Sequence, residues 1–172
     1  GARVDSVTGY VVADTARSTP VRIIAVSGAL QSAPDTLYIV PLPDTVSTTS
    51  TTDSLLYSLT DTTANISNPL TLQVGHRVPV STPLPVRSYI VSYRIAYPSD
   101  TLLAQLVTRD GGRKSTVDTT DATGTSQRRI RLRPLSLTSV NDSVVVIATV
   151  RYRGVAVAGA PVRLVLKVKP HP

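Results

Sequence analysis

Apolar and polar residues alternate along this chain with a period of two, in short runs cut by turn formers. The clearest run is Arg87–Tyr97, where Tyr89, Val91, Tyr93, Ile95 and Tyr97 share one face and Ser88, Ile90, Ser92, Arg94 and Ala96 the other. Pro161–Lys169 repeats the pattern, with Val162, Leu164, Leu166 and Val168 opposite Arg163, Val165, Lys167 and Lys169. The spacing predicts further strands over Leu102–Thr108, Gln127–Arg133 and Ser143–Tyr152, the last being the longest apolar run and so a central strand. Earlier in the chain, Ser6–Ala13, Val21–Ser27, Thr36–Val40, Ser54–Leu59 and Leu70–Val74 read as strands. The breakers there are Pro20, Gly28, Pro34, Pro41, Pro43 and Asn68-Pro69. Turns are expected at Asp110-Gly111-Gly112 and Asp118–Gly124, and strands at this spacing form an antiparallel sandwich.

Composition agrees. Glu is absent and Lys scarce, so the residues that usually build exposed helix faces are missing. Val, Thr and Ser abound, and thirteen prolines break any long helix. The fold class is all-β. With no Phe or Trp, the core must be Val, Ile, Leu, Ala and some of the seven tyrosines, so stability rests on many small side chains. No Cys means no disulfide and no thiolate chemistry. The chain starts at Gly1 without a charged-then-apolar leader, as a processed form or a fragment does. No apolar run approaches the roughly 20 residues of a membrane-spanning helix.

Three prolines within residues 76–85 (Pro79, Pro83, Pro85) predict a stiff extended connector. This places a first β-domain at 1–77, a connector at 78–86 and a second sandwich at 87–172, two small sandwiches in tandem. The Ser/Thr run Thr45–Asp53 reads as a solvated loop, with an edge strand or an O-glycosylated segment as the alternatives.

Two segments carry a family resemblance. Asp118-Thr119-Thr120-Asp121-Ala122-Thr123-Gly124-Thr125, followed by Ile130 and Leu132, is similar to the turn that leads into a strand in bacterial immunoglobulin-like repeats of the invasin/intimin type. Asp142–Val150, then Gly154 and Ala158-Gly159-Ala160-Pro161-Val162, resembles the junction between such repeats. Asp5-Ser6-Val7 with Pro20-Val21-Arg22 echoes Asp142-Ser143-Val144 with Pro161-Val162-Arg163. The resemblance implies an immunoglobulin-like sandwich, a fold used for stalks, adhesin spacers, filament subunits and accessory modules.

Charge divides the chain. Up to Val86 there are four basic and six acidic residues; beyond it there are fourteen basic and five acidic, a net of +9 within a total of +7. Alternation puts Arg129, Arg131 and Arg133 on one face of their strand and Arg128, Ile130 and Leu132 on the other. Arg163, Lys167 and Lys169 line a second strand, and Arg151 and Arg153 end a third. If these strands are sheet neighbours, the eight cations form one patch for an acidic protein or an anionic envelope surface, with Arg suited to bidentate carboxylate contact. No nucleic-acid motif accompanies them, and Tyr89, Tyr93 and Tyr97 are expected to face the core rather than stack on bases.

Catalytic chemistry is not evident. His76 and His171 have no acidic or histidine neighbour at ligand spacing, no Gly-x-Ser-x-Gly elbow occurs, and no cofactor motif is present. The Asp110 and Asp118–Asp121 clusters offer oxygens, but as turn formers rather than a calcium loop. Asn65-Ile66-Ser67 and Asn141-Asp142-Ser143 match the glycosylation sequon, a match expected by chance. The reading is a non-catalytic, extracytoplasmic interaction protein, a peripheral accessory subunit of a membrane-associated complex. The alternatives are a surface stalk, adhesin or filament subunit, and a carbohydrate-binding module, which the lack of Trp disfavours.

Overall fold

The computed structural model describes residues 2–13, 19–58, 60, 65–79, 81–99, 103–133 and 143–170. Among them every regular element is a strand, as the β-branched composition requires. The chain divides into two compact units, Gly1–Leu42 and Pro43–Pro172.

The first unit consists of two-stranded ladders. Strands β1 (Ala2–Val4) and β2 (Val11–Ala13) pair antiparallel around a turn in which Asp5 Oδ1 accepts from the N–H groups of Val7 (2.9 Å) and Thr8 (3.0 Å). Polar Asp5-Ser6 and Gly9 thus make a turn out of the first half of the strand expected at Ser6–Ala13. A hairpin follows: β3 (Val21–Ile23) pairs with β6 (Asp35–Leu37), and inside it β4 (Val26–Ser27) pairs with β5 (Leu30–Gln31). No described residue of this unit is buried.

The second unit is one sandwich. Its strands are β7 (Thr45–Ser47), β8 (Thr52–Tyr57), β9 (Leu70–His76), β10 (Leu84–Pro85), β11 (Ile90–Tyr97), β12 (Ala104–Val107), β13 (Val117–Thr119), β14 (Thr125–Leu132), β15 (Ser143–Thr149), β16 (Arg151–Tyr152), β17 (Val155–Ala156) and β18 (Val162–Pro170). One sheet runs β7-β9-β14-β12, with β10 continuing beside the end of β9; the other runs β13-β11-β15-β18-β8. The β7-β9-β14-β12 sheet facing β11-β15-β18 has the strand order of the immunoglobulin sandwich. All its pairs are antiparallel except β8 with β18. Leu72, Val74, Ile130 and Leu132 of the first sheet meet Val91, Val144, Val146, Leu164 and Leu166 of the second in one core. β15 lies centrally, between β11 and β18, as its apolar run predicts.

The tandem arrangement is therefore corrected. Residues 43–77 supply strands to both sheets, and 78–86 is not a boundary: Leu84 and Pro85 pair with His76 and Gly75, and fully buried Val86 donates its N–H to Val74 O at 3.0 Å. Prolines stiffen a wide hairpin turn as well as a linker, and only the pairing partner tells them apart. The Ser/Thr run is likewise no plain loop. Val46 is buried in β7, and the chain then crosses at 48–51 from one sheet to the other to begin β8. The junction-like segment forms a hairpin within the sandwich, with β15 and β18 paired from Ser143↔Lys167 to Ala148↔Val162. Tyr93 is buried and Tyr89 packs on the core, but a register shift between Ile95 and Tyr97 leaves Tyr97 48 % exposed, against the expected common face. His171, Asn141, Asp142 and Leu102 lie outside the described residues, as do Asp14, Asp61 and Asp100.

Candidate docking surface

The eight cations do not form one patch. Arg129, Arg131 and Arg133 follow the outward parity of β14, opposite the buried Ser126, Arg128, Ile130 and Leu132. Arg163, Lys167 and Lys169 follow the outward parity of β18, which lies in the other sheet. The two sets therefore face away from each other across the core. Local alternation sets the side of a strand, whereas sheet membership depends on long-range pairing.

On the β14 side Arg131 and Arg133 are engaged. Arg131 Nη2 donates to Gly111 O at 2.8 Å, and Gln105, its amide oxygen turned to the guanidinium, accepts from Arg133 Nε (3.1 Å) and Nη2 (2.7 Å). Arg129 Nε is buried, without a hydrogen-bond partner among the described residues.

The outer face of the β11-β15-β18-β8 sheet is different. Register aligns Arg94, Ile147 and Arg163 in one row across three strands, placing the two arginines about 10 Å apart at the backbone. Neighbouring rows hold Val145 with Val165, Ser143 with Lys167 and Ser54, and Lys169 with Leu56. Arg151, which continues the outward parity of β15, lines an open groove of about 560 Å³ with Ser88, Tyr89, Ile90, Ser92, Arg94 and Thr149. Tyr89 Oη donates to Arg151 O at 2.7 Å, and desolvation pushes its phenol pKa up. Arg153 belongs to the β16–β17 turn, 5.3 Å above the Tyr152 ring. Arg94 was absent from the expected patch; its even parity with Ser92 in an alternating strand was the signal that could have included it.

No described carboxylate stands on this face. Asp53 points to the inner side of β8, in register with Leu166, and its Oδ1 accepts from Ser54 N at 2.7 Å. Asp44 lies 3.0 Å from His76 Nδ1, a contact between residues 32 positions apart that ligand spacing in sequence could not reveal. Asp110 and Asp121 are turn residues, as expected. Asp121 Oδ1 accepts from Thr123 N (2.8 Å), Thr123 Oγ1 (2.6 Å) and Thr125 N (3.0 Å). The Thr123 hydroxyl chiefly, with the two backbone donors, holds its carboxyl below the usual range. Thr108, then Gly112 N–H, does the same for Asp110. Among the described residues no three His, Asp or Glu side chains group as metal ligands.

Asp118, expected in a turn, instead joins the two sheets. Its Oδ1 pairs with Arg128 Nη1 at 2.9 Å, and its Oδ2 accepts from Ser126 Oγ (3.0 Å) and Gln127 N (2.6 Å). Ser126 Oγ also meets Tyr93 Oη at 2.8 Å, and burial drives that phenol's pKa well above its ordinary value. Arg128 further donates to Gln127 O, Ser115 Oγ and Val117 O. The inward parity of Arg128 placed it here; its partner could not be read from the sequence. Asn65 is fully buried, with its amide bonded to Ser58 N and O at 2.7 and 2.8 Å, so its sequon offers no exposed acceptor.

Neither a protein-family profile nor any curated protein matches the chain. Among solved structures it is similar to a glycosyl hydrolase family 2 member from Bacteroides cellulosilyticus DSM 14838, with TM-score 0.37, 12% identity and coverage of 83% of this chain and 18% of that one. It is also similar to a beta-glycosidase from Bacteroides vulgatus, with TM-score 0.41, 10% identity and coverage of 94% of this chain and 19% of that one. The chain thus spans under a fifth of the length of either protein. No helix among the described residues is long and apolar enough to cross a membrane.

Proposed function

We propose that this chain is a non-catalytic interaction module that docks on an acidic protein surface through the outer face of the β11-β15-β18-β8 sheet. The observation that carries the reading is the grouping of Arg94, Arg151, Arg163, Lys167 and Lys169 on one strand-ordered face with no described carboxylate among them. The half-buried Ile147 and Val165 lie between these cations, and a mixed Arg-and-aliphatic face suits a protein interface better than a layer of lipid phosphates. An extracytoplasmic setting belongs to the same proposal, in keeping with the immunoglobulin strand order and the use of such sandwiches that the invasin/intimin resemblance implies.

Polyglutamate serves as the probe. The chain binds it at low salt and loses affinity steeply as the Debye length falls to about 8 Å at physiological ionic strength. Arg163→Glu with Lys167→Glu weakens binding at least about tenfold, because single exposed pairs contribute only about 0–1 kcal/mol and several must act together. Arg131→Glu, on the opposite face, leaves binding unchanged. Equal loss from Arg131→Glu, or binding to phosphatidylglycerol vesicles but not to polyglutamate, overturns the reading.

A carbohydrate ligand is the second reading, favoured by the hydroxyl-rich groove of Ser88, Ser92, Thr149 and Tyr89 beside Arg94 and Arg151. Uncharged glycans retained on the wild-type chain and lost with Arg94→Ala would decide for it.

A further inference from the structure

We propose that residues 2–13 and 19–42 form a self-association arm that pairs with the same residues of a second copy of this chain. Ten of its large apolar side chains, among them Val7, Tyr10, Val12, Val26 and Leu30, have fractional exposures of 40–92%. Exposed apolar side chains in this number are of the scale that fills the ~800 Å² per partner of a standard interface. Its ladders, β1–β2, β3–β6 and β4–β5, have two strands each among the described residues, and an isolated two-stranded hairpin is marginal in water. The arm therefore carries apolar area and open strand edges that its own fold does not use.

The repeated sequence pattern shows what such a segment needs. Of the later copy of the pattern, Ser143-Val144 and Val162-Arg163 lie in a five-stranded sheet, where Val144 is fully buried and Val162 is 8% exposed. In Asp5-Ser6-Val7 with Pro20-Val21-Arg22 the corresponding Val7 is 92% exposed. Among the described residues Val7 thus has no neighbouring strand, and Val21, the counterpart of Val162, has one, β6, and stays half-buried.

Charge selects the occupant. Up to Leu42 the chain carries Arg3, Arg17 and Arg22 against Asp5, Asp14 and Asp35, a net of zero, so all of the +7 resides in residues 43–172. Two copies repel through their sandwiches but not through their arms. A neutral apolar segment with open edges on an otherwise cationic chain is the surface through which like molecules can meet, and an isologous pairing closes at two copies.

Sedimentation or light scattering of the full chain tests this. A dimer forms with rising concentration up to about 200 µM, and its fraction holds or grows with added salt, because screening removes the repulsion while apolar contact remains. Val12→Asp with Leu30→Asp raises the dimer dissociation constant at least about 100-fold, since two charges must be desolvated in the interface. The milder Val12→Thr with Leu30→Thr shifts it in the same direction, and serves if the aspartates perturb the hairpins by circular dichroism. Val155→Asp, at a side chain 71% exposed in the β16–β17 hairpin, leaves the dimer intact. A chain monomeric at all these concentrations, or a dimer indifferent to both arm variants, overturns the proposal. Polyglutamate binding persists in the arm variants, so this inference and the docking reading fail separately.

Discussion

Replacing Asp118 with Ala should be among the most damaging single changes in the sandwich. The substitution removes the 2.9 Å pair with Arg128 and strips Gln127 N–H and Ser126 Oγ of their shared acceptor. It leaves an arginine whose side chain is 7% exposed without its carboxylate. Breaking a buried pair by removing one partner costs about 3–5 kcal/mol. Arg128 keeps three oxygen acceptors, on Gln127, Ser115 and Val117, which puts the cost toward the lower end, at about 3 kcal/mol. For a unit of this size each kcal/mol shifts Tm by about 3 °C, so the loss is roughly 9 °C. The reverse truncation, Arg128→Met, should cost less, about 1–2 kcal/mol, because Asp118 retains two donors and is 22% exposed to water. Urea unfolding followed by circular dichroism measures both, and near-ultraviolet signal from Tyr93, bonded to Ser126, reports the same network. An Asp118→Ala variant within about 1 kcal/mol of wild type, or one less damaging than Arg128→Met, would refute the claim that this pair joins the sheets.

Two further outcomes follow from the turns. Gly124 has φ +76°, and a Cβ there would meet Val74 O at 2.5 Å, so Gly124→Ala should cost about 2–4 kcal/mol. Gly154→Ala, at φ +83° with nothing within 4 Å, should cost only about 1–2 kcal/mol, and comparing the two by urea midpoint separates clash from conformational strain. The lowered carboxyl pKa values of Asp110 and Asp121 mean that the unfolded chain takes up protons first as pH falls. Their stabilisation is therefore complete above the ordinary Asp value of about 3.9 and is lost as pH drops through their lower folded values. Asp121→Asn should flatten the stability profile below about pH 4; an unchanged slope there would contradict the turn hydrogen bonds.

Much was decided within single strands. Composition set the all-β class, and alternation set the side of each residue: Arg128, Ile130 and Leu132 point inward while Arg129 and Arg131 point outward, and Leu164 and Leu166 point inward while Arg163 and Lys167 point outward. These follow from local geometry, because successive Cβ atoms point to opposite faces whatever the strand pairs with. Pairing itself is made by backbone groups common to all residues, so the sequence does not name the neighbour. Only the tertiary structure placed β14 and β18 in opposite sheets, split the expected cationic patch and brought Arg94 into line with Arg163. It also turned the proline segment from a boundary into a hairpin, and carried Asp118 to Arg128 and Asp44 to His76. Each of these depends on which distant strand completes a ladder, and the shared core of both sheets settles that choice.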